Sequence, residues 1–341
     1  MSVKLLNYPI TMKILFSTLT VFVFTYDITL ASDPVDVLND EFDNYIEDNL
    51  YDFDFGYENF AHYETSKHVF YWLYTRNNSD GQLLNRSEPH MIESTTYDPS
   101  NPIKVLVHGW LGTTQEKSGI CSYNVKSYLE VGEYNVICVD WKQYSTDISY
   151  AVAKARSKYI ALDIVKMLLK ITYNMTEGCY ETIHVIGHSM GAHIAGHVGK
   201  NLPGLYRISG LDPAKPMYEK SGPDDRLDMT DAKFVDVMHT NAGQNGLDKS
   251  IGHMDFYPNG GSKQPNCSDS SNKHGSCSHV RSYHYFAHSI WSRYDYIAYR
   301  CPSWDDFEAN LCTNASVNLM GEWVNKDGEH GDYYLDACVQ D

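Results

Sequence analysis

Thr182-Ile183-His184-Val185-Ile186-Gly187-His188-Ser189-Met190-Gly191-Ala192-His193-Ile194-Ala195-Gly196 reads as a short apolar strand, a Gly-x-Ser-x-Gly turn and a helix start crowded with small residues. A serine on such an elbow takes backbone angles that bulky neighbours would block. Gly187 and Gly191 leave room for the turn and let the helix approach the sheet. The Ser189 hydroxyl then stands at the top of the sheet, with the first helical N–H groups beneath it to receive developing negative charge. Strand before and helix after separate this pattern from a Gly-lined turn with an inert serine, and Ser189 is read as a nucleophile.

Working outward, strand and helix alternate on both sides of the elbow. His68 to Tyr74 is an apolar and aromatic strand, followed by a polar turn at Asn77 to Gly81 and a second short strand. Ile103 to Val107 is a buried-type strand that ends at His108-Gly109-Trp110, and Tyr134 to Trp141 is another. From Ser149 to Thr172 apolar residues recur at helical spacing. Arg207 to Leu211 and Phe234 to His239 are strands after the elbow. This order predicts an α/β protein with a mostly parallel central sheet and helices on both faces. In such sheets function gathers at the carboxyl ends of the strands, where Trp110, Ser189 and Asp212 fall.

The chain has 341 residues and a formal net charge of −17, which argues against nucleic acid and against capture by anionic membranes. Lys13, the apolar run Ile14 to Phe24 and Thr29-Leu30-Ala31 read as a secretory signal over residues 1–31, too short to span a bilayer. Residues 32–66 carry no Lys or Arg and read as an acidic N-terminal arm, with one large α/β domain from 67 to 341. Eight cysteines fit an oxidising compartment. The close pairs Cys267/Cys277 and Cys301/Cys312 are the simplest bridges to propose. Cys121, Cys138, Cys179 and Cys338 allow three connectivities, and Cys138, inside an apolar strand, is equally readable as a buried thiol. Sequons at Asn77, Asn85, Asn174, Asn266 and Asn314 agree with secretion.

A serine hydroxyl needs an imidazole to take its proton and a carboxylate to hold that imidazole in the right tautomer. The chain order for this elbow is Ser, then acid, then His. Asp212 ends a strand that Pro213 stops, which aims its carboxylate into the cleft. Asp236 is mid-strand and reads as structural, and Asn241 cannot carry the charge. Of fifteen histidines, His193 and His197 share a helix face without the adjacent glutamate of a zinc-protease helix. His239 and His253 flank a loop as structural hydrogen-bonders, and His284 and His288 lie on a helix-like stretch. His279 sits two residues after Cys277, where a side chain can reach over a cleft from late in the chain.

His108-Gly109-Trp110, Gly187-His188-Ser189-Met190-Gly191, Gly210-Leu211-Asp212-Pro213-Ala214, Arg226-Leu227-Asp228, Asp231 to Val237, Asp255 to Gly261 and Cys277-Ser278-His279-Val280-Arg281 fall in order. Together they resemble the pancreatic-lipase family, especially its secreted insect branch, over roughly Phe70 to Arg300. The resemblance implies an α/β-hydrolase fold, a triad of Ser189, Asp212 and His279, and an oxyanion hole from the backbone N–H groups of Trp110 and Met190. No cofactor is expected. In some relatives a structural calcium lies near the segment matching Asp228 and Asp231; a helix cap or solvated acid cluster is the plainer reading here. The carboxyl-terminal β-sandwich domain of the pancreatic enzymes is expected to be absent, since some forty residues follow Cys301.

In this family two loops bear on substrate class. The lid between Cys267 and Cys277 is short and holds no large apolar residue, so it supplies little burial at an oil surface. The loop from Thr240 to Gly252 is brief and polar. Both features resemble the sn-1-specific phospholipases A1 of the family rather than its triglyceride lipases. The expectation is a secreted esterase acting on lipid at a membrane or micelle surface. A neutral lipase is the alternative within the class, and a non-catalytic yolk-type or lipid-carrier relative the alternative outside it.

Overall fold

Strands that bury both faces carry apolar residues on both, and three of them set the centre of this molecule. They are β3 (Ile103–Val107), β4 (Asn135–Asp140) and β5 (Ile183–His188), in which every residue is buried. In the computed structural model, residues 67–85, 91–114, 119–146, 149–172, 179–268, 277–292 and 295–338 are described. The signal over 1–31, the acidic arm over 32–66, most of the lid (269–276) and the sequon at Asn174 lie outside them.

Before β3 come β1 (Phe70–Thr75) and β2 (Asn78–Leu83), a tight antiparallel hairpin. The second strand therefore begins inside the stretch expected to be a turn. Its polar residues pair through backbone groups at a sheet edge, where a side chain need not be apolar. Helix α1 (Ile120–Val131) links β3 to β4, and α2 (Lys142–Thr146) and the long α3 (Tyr150–Thr172) lead to β5. Then follow α4 (Met190–Asn201), β6 (Arg207–Leu211), β7 (Phe234–Met238), β8 (Met254–Pro258) and α5 (Cys277–Trp291). The chain closes with β9 (Ile297–Arg300), α6 (Trp304–Glu308), β10 (Val317–Leu319) and β11 (Gly331–Leu335).

The strands form one 11-stranded sheet in the order β10-β9-β11-β8-β7-β6-β5-β3-β4-β1-β2. From β4 to β11 the neighbours run parallel, while the edge strands β1, β2, β9 and β10 pair antiparallel. The order reverses at β3, the first strand of the parallel run, which is where a cleft opens in such a sheet. Side chains alternate between faces. Leu106, Val136, Cys138, Ile186 and Leu211 pack with Ile120, Tyr128, Tyr285 and Phe286 from α1 and α5. Helices α3 and α4 pack on each other and α4 on β5 and β6. This is an α/β-hydrolase fold. Each large side chain buried in these layers contributes about 1.5–3 kcal/mol. A disulfide between Cys121 on α1 and Cys138 on β4 ties helix to sheet, so Cys138 is bridged rather than a free thiol. Both proposed bridges, Cys267–Cys277 and Cys301–Cys312, are present, and Cys338 is exposed and unbridged.

At the amino ends of the parallel strands the interior holds a buried ionic network. Lys104 on β3 meets Glu322 at 2.6 Å, and Arg207 on β6 pairs with Asp236 on β7 at 2.8 Å. Tyr128 on α1 donates to the other Glu322 oxygen at 2.7 Å. Arg207 also donates to the carbonyls of Gly321 and Glu322. Asp236 is thus structural, as its mid-strand position suggests. Glu322 comes from the segment between β10 and β11, so the end of the chain is anchored beneath the centre of the sheet. No described helix is long and apolar enough to cross a membrane.

Candidate active site

Ser189 lies between β5 and α4 with φ 57° and ψ −121°, the strained turn that its glycine-flanked motif predicts. A Cβ at Gly187 would run into the Gly191 carbonyl, and one at Gly191 into the carbonyl of Val107 on β3. Both glycines are required by close approach, and the approach is what lifts the serine. The Ser189 amide donates to the Leu211 carbonyl at 3.0 Å, and the Ser189 carbonyl accepts from Ala214 at 3.2 Å, so the elbow is pinned to the end of β6. Met190 opens α4, where first-turn amides have no acceptor within the helix.

Asp212, just past β6, is fully buried and has φ 47°. Its Oδ2 meets His279 Nδ1 at 2.5 Å. Its Oδ1 accepts from the backbone N–H groups of Thr240 and Asn241 at 2.9 and 3.0 Å. With both oxygens engaged as acceptors the carboxylate has one orientation, and Nδ1 of His279 carries the proton. The brief loop after β7 therefore braces the acid, and its Leu247 and Ile251 are buried although the stretch reads as polar. Gly246 of that loop lies so close that a Cβ would strike the Asp212 carboxylate.

His279 sits in the first turn of α5, directly after the bridged Cys277. Its carbonyl accepts from His188 Nε2 at 3.2 Å, and the two rings lie 4.6 Å apart. Burial, together with the neighbouring His279, holds the His188 imidazole well below its usual range, so it stays neutral. Gln264 spends its whole amide nearby. It donates to the carbonyls of Thr240 and Pro258 and accepts from Tyr285 and Asn259, while its backbone N–H donates to Ser278 Oγ at 2.9 Å. The loop after β7 and helix α5 thus share one connector. Neither role is legible in sequence, because His188 and Gln264 act through contacts made by distant segments.

The His108-Gly109-Trp110 turn completes the wall. Trp141 donates from its backbone to His108 Nε2 at 3.2 Å and from its indole to the His108 carbonyl at 2.9 Å. His108 Nε2 is thus an acceptor, and Nδ1–H donates to the Gly109 carbonyl at 2.8 Å. A Cβ on Gly109 would press on the Ser189 Cβ, so this turn lies directly against Ser189. The Trp110 ring meets Tyr150 edge to face at 5.2 Å. Between these parts lies a cleft of about 450 Å³ lined by Ser189, His279, Trp110, Leu111, Tyr150 and Tyr283, among others.

The other marked residues divide clearly. Asp228 and Asp231 form a capping box around the turn Met229–Asp231. Asp231 also pairs with Lys200 at 2.6 Å, and Asp228 with Arg226 at 3.3 Å. Burial pushes the Asp231 carboxyl up to about 6, a rise that Lys200 only partly offsets. Calcium takes six to eight oxygens; two carboxylates already held by cations and amides do not fit it. No cluster of three or more ligating side chains occurs among the described residues. His193 donates to the Ala214 carbonyl, accepts from the Leu227 amide and stacks on Tyr218 at 3.7 Å, so it is a core histidine. His253 accepts from the Val235 amide. The sequons at Asn77, Asn85, Asn266 and Asn314 are all exposed.

The profile of a family described as Lipase matches residues 48–340. The chain is 34% identical over 282 residues to the inactive pancreatic lipase-related protein 1 of Homo sapiens, covering 74% of this chain and 59% of that protein. It is 40% identical over 236 residues to lipase member H-B of Xenopus laevis, covering 66% and 50%. With the pancreatic triacylglycerol lipase of Mus musculus it shares 32% identity over 263 residues, covering 70% and 55%. The chain thus spans a little over half the length of the curated relatives it matches. Among solved structures, an α/β hydrolase from a deep-sea metagenome library overlays with a TM-score of 0.32 at 17% identity, covering 52% of this chain and 66% of that one.

Proposed function

This chain belongs to the Lipase family, and from that premise we propose that it is a serine esterase that cleaves the sn-1 acyl ester of phospholipids. The observation that carries the reading is one cleft holding the strained Ser189 and a His279 whose Nδ1 is locked on the buried Asp212. His279 Nε2 takes the proton as Ser189 Oγ attacks the ester carbonyl. The tetrahedral oxyanion turns toward the backbone N–H groups of Trp110 and Met190. Collapse breaks the C–O bond, and the imidazolium returns its proton to the leaving alcohol. Water, deprotonated by the same imidazole, then releases the fatty acid from the acyl-enzyme. No cofactor enters these steps.

Phospholipid is favoured over triglyceride by the lid. Between the bridged Cys267 and Cys277 lie Ser268-Asp269-Ser270-Ser271-Asn272-Lys273-His274-Gly275-Ser276, with no apolar face to bury in oil. A lid of polar residues also tolerates a zwitterionic head group. Three disulfides and the exposed sequons support an oxidising, extracellular setting. The test is to incubate the protein separately with phosphatidylcholine of unlike acyl chains and with triolein. Release of the sn-1 chain is expected, and fatty acid mainly from triolein would overturn the phospholipid assignment.

A second reading has its own support, because relatives 34% identical to this chain are named inactive. A fluorophosphonate probe separates the two: covalent labelling of Ser189, lost in Ser189→Ala, is expected of the esterase, and a non-catalytic carrier would stay unlabelled.

A further inference from the structure

Behind Asp212 lies a second histidine–carboxylate pair that faces no cleft. His239, at the end of β7, is completely buried. Its Nδ1 lies 3.0 Å from the Leu247 carbonyl and its Nε2 lies 2.8 Å from Asp255 Oδ1. A carbonyl oxygen can only accept, so Nδ1 carries a proton. Asp255 accepts the amide of Ile251 on Oδ1 and that of Gly252 on Oδ2. Amides on both oxygens favour the ionised carboxylate, which again can only accept, so Nε2 carries a proton as well. Two protonated nitrogens make an imidazolium. Burial alone would lower the proton affinity of this ring, yet Asp255 and then Asp212 outweigh it and raise it above the usual range.

The next residue, Thr240, gives its amide to Asp212 Oδ1. We propose that His239 is a fixed buried cation that acts through Asp212, keeping that carboxylate ionised and the His279 imidazole available as a base at lower pH. It touches no substrate, and the proposal rests on the triad reading above. The charged and titratable groups around His239 are Asp255 and the stacked Tyr257 on β8, Asp212 beyond β6 and Asp332 on β11. His279 in turn faces Asp212 and the neutral His188. Among these His239 is the one group that both ring contacts require to be cationic, and it sits on the anion side of the dyad.

Two measurements on the full chain test this. With ¹⁵N-labelled histidine, the His239 ring, assigned by its contact to Tyr257, is expected to keep both nitrogens protonated through pH 8; an unprotonated ring nitrogen at pH 7 would overturn the proposal. Then the acid limb of kcat/KM on a short-chain p-nitrophenyl ester is compared across variants. In His239→Gln the limb is expected to move up by about half a pH unit or more, because a nearby cation is gone while Asp255 stays charged. In Asp255→Asn the uncompensated ring sheds its proton, both charges vanish together and the limb is expected to stay closer to wild type. A limb unmoved in His239→Gln, or moved equally in both variants, means a structural role only and sinks the idea. If wild type neither hydrolyses ester nor labels with fluorophosphonate, the esterase reading fails instead, and the ring spectrum still decides the charge. If neither variant folds, the spectrum again decides, a neutral ring being sufficient to reject the proposal.

Discussion

At the carboxyl ends of the parallel strands, His279 holds Asp212 beside a cleft that Ser189 also lines. At the amino ends of the same strands, His184 Nε2 lies 2.8 Å from Ser209 Oγ while its Nδ1 lies 3.5 Å from Glu322. The residue types match, yet their surroundings differ in three ways. Ser209 is wholly buried in the middle of β6 and spends its hydroxyl on Asp236. The Lys104 ammonium, which can only donate, faces His184 Nδ1 at 3.4 Å. Burial, with Arg207 and Lys104, holds that imidazole well below its usual range. A histidine beside cations cannot take a proton, and a serine without an elbow meets no substrate. The esterase reading rests on an anion behind His279, a strained turn under Ser189 and space in front of both.

The sharpest break of this contrast is kinetic. Ser189→Ala should lower kcat/KM by about 10⁴-fold or more, while Ser209→Ala should leave the folded enzyme within about threefold of wild type. Hydrolysis of a p-nitrophenyl ester measures both, and a large loss in Ser209→Ala would mean the two ends are not separable. Next in size is Glu322→Gln, which leaves Lys104 and Arg207 as buried cations without their shared anion. A loss of about 3–5 kcal/mol is expected in urea titration, with kcat/KM of the folded fraction unchanged.

Replacing Cys121 and Cys138 together with serine should cost about 3 kcal/mol, since their bridge closes a loop of 17 residues. The same bridge holds the α1 helix from which Tyr128 reaches Glu322, so the loss should appear in thermal unfolding before it appears in activity. The smallest effect per step is in acid, and there both ends behave alike. His188 above and His184 below are held by burial well under the usual imidazole range; His193 is lowered to about 3 and His197 to about 4, again chiefly by burial. In the unfolded chain these groups take a proton near pH 6.5. Their folded values are depressed, so the stability is present above pH 6.5 and is lost as pH falls toward the folded values. Each group adds a slope of up to about 1.4 kcal/mol per pH unit, and urea midpoints measured from pH 7 to pH 4 should show it.

Much of the fold was legible because its signals are local. The strands β3, β4 and β5 are mostly apolar, broken only by residues such as Lys104 and His184, and α3 carries helical spacing from Tyr150 to Thr172. The β1–β2 hairpin departs from the expected turn, since β2 already begins at Asn78, which pairs with Thr75 through backbone groups that leave no mark in side-chain pattern. Of the candidate site, the glycine-flanked Ser189 and the strand-ending Asp212 announce themselves by position. His279 needed motifs in register, because one histidine late in the chain looks like any other. The partner of Cys138 could not be chosen, as only the packing of α1 against β4 brings Cys121 within 6.1 Å between Cα atoms.

The sequence by itself determined the strand–elbow–helix unit, the parallel order around it and the chemical types of the nucleophile, acid and base. Each follows from short-range rules about which residues can occupy a turn, a buried strand or a strand end. Tertiary structure alone decided that both oxygens of Asp212 are engaged, one by His279 and one by the backbone of the loop after β7. It also set a buried cation at His239 and closed the far end of the sheet with Glu322. Those outcomes depend on charges and hydrogen-bond partners brought together from distant segments. A residue's proton affinity and orientation belong to its surroundings, and no spacing along the chain encodes them.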